Sequence, residues 1–252
     1  MIRSVVFALT YWLLSVLYVL LAVICMILPG RKAVGWVVRR YSRRMVHAMR
    51  LIVGIRLRVV GQDKVPQACI IAAKHHSWFD GFCMYSQFDD LAFVTGDHLE
   101  RIPLLRGLLA KLGAIVVNNC GGHEARKALA DNAAKANADG RRILIYPEGH
   151  LAKAGERFRY KTGVWHMSNN FALPVVPVAT NLGLFAPQQS FEKHPGVAVL
   201  EFLEPIPPGL PKAEFLARLE AAIESRTDQL IAEARGGPVV PSVLVADPAP
   251  AH

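Results

Sequence analysis

Cys69-Ile70-Ile71-Ala72-Ala73-Lys74-His75-His76-Ser77-Trp78-Phe79-Asp80-Gly81 is the stretch on which the reading of the fold turns. Cys69–Ala73 is short, apolar and uncharged, and it breaks off at Lys74. A run of that length bounded by polar residues reads as a strand buried on both faces. Two histidines and an acid follow, and a helix is expected from near Ser77 to Gln87. The alternation repeats outward from this point. Ile55–Val60, Leu91–Val94, Ala114–Val117, Arg142–Tyr146, Val175–Ala179 and Val197–Phe202 read as strands. Pro103–Leu112, the alanine-rich His123–Asn137, Thr162–Phe171 and the long Lys212–Ala234 read as helices. Strands alternating with helices predict an α/β fold, a layered sheet with flanking helices, over residues 56–235. Residues 236–252, rich in Pro, Gly and Ala, read as a disordered tail.

Residues 1–55 read as a two-helix membrane motif in front of that sheet. Val5–Leu28 carries no charge over 24 positions. As a helix it would be about 36 Å long, against a hydrocarbon core of about 30 Å. It is too long for the apolar core of a signal peptide, and no small-x-small cleavage site follows. From Lys32 to Val53, apolar Val34, Val37, Val38, Tyr41, Met45, Ala48 and Ile52 recur at helical spacing, with arginines in much of the remainder. Such a helix lies on an anionic headgroup surface or packs on the main domain with its arginines in water. The first helix either spans the bilayer or dips into one leaflet as a hairpin with the second. The positive-inside rule places the rest of the chain on the cytoplasmic face.

The 252 residues carry a formal net charge of +9 and are 52% hydrophobic. The membrane-facing arginines account for most of that charge, and no stacking aromatics or known binding module accompany them, so nucleic acid is not an expected partner. None of the four cysteines, Cys25, Cys69, Cys83 and Cys120, forms a C-x-x-C pair, which argues against a zinc site or a disulfide framework.

His75 and Asp80 stand five apart. On one continuous helix such residues lie about 140° apart around the axis and would not meet. If the helix begins between them, Asp80 can fold back under His75, accept the proton of one imidazole nitrogen and leave the other free as a base. The alternatives are an ordinary loop pair, or a metal site with His76. Adjacent histidines on a turn point apart, so no metal is expected.

H-x-x-x-x-D after a strand resembles the first motif of the glycerophospholipid acyltransferases, the 1-acyl-sn-glycerol-3-phosphate acyltransferase family. Arg101-Ile102-Pro103-Leu104-Leu105 with Leu112-Gly113-Ala114-Ile115 is similar to that family's second motif region, Tyr146-Pro147-Glu148-Gly149 to its third, usually F-P-E-G, and Val175-Val176-Pro177-Val178-Ala179 to its fourth. The resemblance runs over about residues 1–235, and four motifs in order make it specific.

The resemblance implies that His75 takes the proton of an acceptor hydroxyl, that Asp80 orients it, and that the acyl thioester of coenzyme A or acyl carrier protein is the co-substrate, with no bound cofactor. It implies that Glu148 contacts the acceptor, that amides near Gly149 face the oxyanion, and that Lys161 is a family lysine. The sequence departs from the family at two positions. Asn119 stands where the second motif has an arginine, and His150-Leu151 stands where the third has Thr-Arg. Those arginines are thought to hold the acceptor's phosphate. Lys74, Lys153, Arg157, Arg159 and Lys161 are the candidate replacements. The readings left are an acyltransferase making phosphatidic acid, the same chemistry on a lyso-lipid without the glycerol phosphate, such as a lyso-aminolipid, and a non-catalytic membrane lipid-binding protein.

Overall fold

The computed structural model describes residues 1–101, 103–117 and 122–248. The strands are β1 (Ile55–Val60), β2 (Ile70–Ala73), β3 (Leu91–Gly96), β4 (Ile115–Val117), β5 (Arg142–Ile145), β6 (Glu156–Arg157), β7 (Val175–Thr180), β8 (Gly196–Phe202) and β9 (Val243–Leu244). The α-helices are α1 (Ile2–Cys25), α2 (Lys32–Ala48), α3 (Asp80–Tyr85), α4 (Pro103–Leu112), α5 (Gly122–Ala138), α6 (Gly163–Phe171) and α7 (Lys212–Arg235).

The main sheet has the order β1-β8-β7-β2-β5-β3-β4. Its pairs are parallel except β7–β8, which is antiparallel. β2 lies between β7 and β5 and all its residues are buried. Its side chains alternate between two cores, as the pleat of a strand requires. Ile70 and Ala72 join Ala133 and Ala136 of α5, Val164 and Met167 of α6, and Phe215, Leu219 and Ile223 of α7. Ile71 and Ala73 face Met84, Phe88, Val176 and Phe202 on the other side. Each large side chain buried this way contributes about 1.5–3 kcal/mol, which is why this apolar run sits mid-sheet. β1 is an edge, and its exposed Arg56 and Arg58 discourage pairing with another chain. Because β2 and β5 are parallel neighbours, the segments leaving their C-terminal ends lie side by side, where open α/β sheets hold their ligands.

α1 lies along α2, tied by a Ser15–Tyr41 hydroxyl hydrogen bond of 2.6 Å and by stacking of Tyr18 on Tyr41. Among the described residues it is the one helix long and apolar enough to cross a membrane. Phe7 and Ala22 turn inward, while Leu9, Leu13, Leu20 and Ile24 are exposed along its outer side. α2 packs on the main domain along one face and leaves the other exposed. Val34, Val37, Met45 and Ala48 pack inward, Arg39 pairs with Asp89, and Trp36, Arg40 and Arg44 stay on the exposed face. The α-helix stops at Ala48 rather than Val53. Met49–Val53 forms one π-turn, closed by Gly54 in the left-handed region at φ 76°, which turns the chain into β1.

Two sequence expectations are corrected. α3 starts at Asp80, not Ser77, because the hydroxyl and amide of Ser77 are committed to a turn. Its Oγ donates to the Ala186 carbonyl at 2.6 Å and accepts the Phe79 amide at 3.2 Å. The tail expected to be disordered is placed through residue 248 against the α/β domain. β9 pairs parallel with β6, the Val243 and Val245 amides donate to the Gly155 and Arg157 carbonyls at 2.9 Å each, and Ser242 is buried.

Candidate active site

Lys74 to Phe79 leave the end of β2, and Tyr146 to Gly155 leave the end of β5. Asp80 is the first residue of α3, so its carboxylate points back into the preceding turn. Its Oδ2 lies 3.0 Å from His75 Nδ1 and accepts the His76 and Ser77 amides at 2.7 Å each. Amides only donate, so this oxygen is an acceptor throughout and His75 carries its proton on Nδ1. Nε2 then holds the lone pair, and it has no hydrogen bond among the described residues.

The imidazole is fixed on other sides as well. Its ring stacks on Tyr146 with centroids 3.9 Å apart and planes 16° from parallel. The His75 carbonyl accepts the Ala152 amide at 2.9 Å, and the His75 amide faces Glu148 Oε2 at 3.4 Å. His75 keeps 18% of its side chain exposed, so a substrate can reach Nε2, whereas Asp80 keeps 3%. The arrangement is a base held by a buried acceptor and open on one edge.

His76 has no such access. Burial, then the Lys74 charge and the neighbouring His75 ring, push its pKa well below the usual imidazole range, so it is neutral. The Glu156 and Thr180 backbones lie close enough to oppose this weakly, yet neither ring nitrogen makes a hydrogen bond of good geometry among the described residues. Gly183 packs directly on it, and a Cβ there would come within 2.7 Å of His76 Cβ. The described residues contain no group of three His, Cys, Asp or Glu arranged to hold a metal.

Tyr146 presents its ring to His75 and buries its hydroxyl without a partner among the described residues. Tyr146→Phe is therefore expected to preserve the stack and to leave stability unchanged or raise it by about 1 kcal/mol, since an unsatisfied buried hydroxyl is lost. Denaturant unfolding beside an activity assay checks this, and a large loss of stability would mean that the hydroxyl has a partner.

The other residues expected at the site divide into those near His75 and those turned away. Glu148 is fully buried, its Oε1 bound by Lys74 and by the Phe158 amide at 2.9 Å, so it does not present an oxygen to an acceptor. The Gly149 amide donates to the Tyr146 carbonyl at 3.0 Å and is not a free oxyanion donor. Lys161 is exposed, crosses over Gly149 and pairs with Asp247 of the tail. Arg157 turns toward Glu220 of α7 at 3.4 Å, and Arg159 is exposed. Lys153 is exposed near Glu156, and Leu151 is half-buried. Lys74, a candidate phosphate cation, is instead fully buried. Asn119 lies outside the described residues. Glu224, Tyr160 and Ser242, which meet behind the site, were not singled out from sequence. The one local signal was a glutamate at the edge of the apolar face of α7.

A family model described as Acyltransferase matches residues 56–181, which hold β2, the His75 turn, β5 and β7. The chain belongs to the acyltransferase family. A 1-acyl-sn-glycerol-3-phosphate acyltransferase of Pseudomonas aeruginosa is 32% identical over 171 residues, covering 68% of this chain and 66% of the relative, just under two thirds of its length. One from Saccharomyces cerevisiae is 24% identical over 219 residues, 81% of this chain and 71% of its own. A lyso-ornithine lipid O-acyltransferase of Rhizobium meliloti is 28% identical over 133 residues, 50% of this chain and 43% of its own. The crystal structure of the 1-acyl-sn-glycerophosphate acyltransferase from Thermotoga maritima shares the fold at TM-score 0.74, with 18% identity and coverage of 91% of this chain and 96% of that one. The family resemblance carried by the four motifs is thus borne out, as is the α/β sheet with flanking helices. Within this acyltransferase-family chain the matched segment ends before α7, whose Glu224 reaches back to the His75 turn through Lys74.

Proposed function

We propose that this chain transfers a fatty acyl group from the thioester of coenzyme A or acyl carrier protein to the free hydroxyl of 1-acyl-sn-glycerol-3-phosphate, giving phosphatidic acid. The observation that carries this reading is the His75–Asp80 pair, with Nδ1 held at 3.0 Å and Nε2 open. Nε2 takes the proton of the acceptor hydroxyl while its oxygen attacks the thioester carbonyl. The C–O bond forms and the C–S bond breaks. The imidazolium, stabilised by Asp80, returns its proton to the departing thiolate. No acyl-enzyme and no bound cofactor enter this scheme.

The same reading keeps α1 in the membrane and the α/β domain on its cytoplasmic face. The exposed apolar side of α1 and the exposed arginines of α2 support it, since basic segments favour anionic headgroups on that side. Phe7 of α1 packs against Phe79, one residue before Asp80, at 5.4 Å between centroids, which brings the apolar helix beside the catalytic turn. A lipid acceptor would then enter sideways from the bilayer, and membrane lipids rather than nucleic acid are the partners.

A second reading has observations of its own. Leu151 holds the position of an expected phosphate-binding arginine, Arg157 is turned to Glu220, and Lys161 is paired within the chain. These favour an acceptor without the glycerol phosphate, and the Rhizobium relative bears a name of that kind. The deciding assay follows labelled acyl transfer from each donor to 1-acyl-glycerol-3-phosphate and to a lyso-aminolipid. Transfer to the first is expected. Transfer to the second alone would replace the first reading, and silence with both would favour a non-catalytic lipid-binding protein.

A further inference from the structure

Behind His75 lies a set of buried charges that the acyl transfer does not use. Lys74 Nζ donates to Glu148 Oε1 at 2.8 Å, to both carboxylate oxygens of Glu224 at 2.9 Å, and to the Glu156 carbonyl at 3.1 Å. Glu224 also accepts the Tyr160 hydroxyl at 2.7 Å and the Ser242 hydroxyl at 3.1 Å. One ammonium serves two carboxylates away from solvent. Burial is the chief cause that raises the Glu148 pKa, Lys74 opposes it, and the Glu224 charge adds to it. These hydrogen bonds are made in a region of low dielectric, so moving any one member leaves a donor or an acceptor unpaired there.

The chain of contacts ends on the catalytic residue. Glu148 Oε2 faces the His75 amide, and Lys74 is the residue before it. We propose that Glu224 of α7 is a positioning residue: acting through Lys74 and Glu148, it fixes the His75 backbone so that the imidazole stays in line with the acceptor hydroxyl. This rests on the acyl-transfer reading. It extends the machinery beyond residues 56–181 to a helix outside the segment that the family model matches. A Glu224 side chain that only filled space would add to stability and leave the turnover of folded protein alone. A positioning role ties turnover to the place of its oxygens.

The test uses the full chain in detergent, well below its melting temperature, with Glu224→Ala, Glu224→Asp and Glu224→Gln beside the wild type. Acyl-transfer kinetics are read per folded protein, and amide hydrogen exchange is followed over residues 74–80. Glu224→Ala is expected to lower kcat by about 10- to 100-fold, the scale on which misplacing a catalytic group by about 1 Å acts, with KM for both substrates within about twofold. Glu224→Gln keeps the side-chain length and one acceptor oxygen for Lys74 and Tyr160, with its amide group turned to the Ser242 hydroxyl, and is expected to retain more of the wild-type kcat than Glu224→Asp, which keeps the charge and withdraws it by one methylene. Exchange over 74–80 should quicken in the alanine and aspartate variants and not in the glutamine variant. If Glu224→Ala does not fold, the Asp and Gln variants decide alone. Wild-type kcat in folded Glu224→Ala, a loss confined to KM, or a Gln variant no better than the Asp variant overturns the proposal. If the wild type transfers nothing to 1-acyl-glycerol-3-phosphate, that acceptor reading fails separately. Exchange then decides the positioning role, and unchanged protection of 74–80 in Glu224→Ala or Glu224→Asp would overturn it.

Discussion

His75→Ala is expected to lower kcat by about 10²- to 10⁴-fold, the usual contribution of a positioned general base. The melting temperature should stay close to that of the wild type. Both halves follow from where the side chain sits. The imidazole is partly exposed and rests on the face of Tyr146, so its removal opens a shallow gap that water can fill. Asp80 loses one donor and keeps the His76 and Ser77 amides at 2.7 Å, so the start of α3 survives. Asp80→Ala would be a poorer probe of the chemistry. It strips two amides of buried residues of their acceptor, at about 1–3 kcal/mol each, and would lower activity by disordering the turn as well as by releasing the base. KM for the donor and acceptor should change little in His75→Ala, because the base acts on the proton in flight. Unaltered turnover in a folded His75→Ala would remove the acyl-transfer mechanism proposed for this site.

The sequence showed the outline of the site because its main pair is local. Five residues separate His75 from Asp80, and a helix starting between them is the condition for contact. Asp80 heads α3 and meets Nδ1. Strand β1 and helix α4 fall on the expected residues for similarly local reasons, an alternation with arginines in one case and a proline start in the other. What lay beyond reach was decided by distant partners. Lys74 stands beside two histidines at a strand end and reads as a cation for a phosphate, yet its carboxylates lie 74 and 150 positions away. The same long-range pairing buries the Glu148 carboxylate, which in the sequence reads as a contact for the acceptor. In the tail, docking uses backbone groups of Val243 and Val245 and the hydroxyl of Ser242, none of which a Pro-, Gly- and Ala-rich composition reveals. The arginine loss at Leu151 was legible at once. Its consequence for the acceptor depends on where Arg157 and Lys161 point, which the sequence does not hold.

Lys74→Met is expected to destabilise the protein by about 3–5 kcal/mol, the scale of breaking a buried ion pair from one side. Methionine fits the volume roughly and leaves Glu148 and Glu224 facing each other without a cation. The pH dependence should identify the cause. In the intact protein burial already raises the Glu148 pKa even with Lys74 present, and without the ammonium that direction can only strengthen. A carboxyl whose folded pKa lies above its unfolded value binds more protons when folded. Its variant therefore gains stability as pH falls into the window between the two values and loses it as pH rises through the folded one. The deficit of Lys74→Met relative to wild type should accordingly be greatest above the raised folded pKa of the carboxyl and shrink as pH falls toward the ordinary carboxylate range. Denaturant unfolding at several pH values measures it. Adding Glu224→Gln to Lys74→Met removes one of the two like charges and should recover part of the loss at the higher pH, a coupling expected of groups that share one buried network. A deficit that is flat with pH would mean that lost packing, not the stranded carboxylates, sets the cost. The cluster behind His75 would then be held by shape rather than by charge.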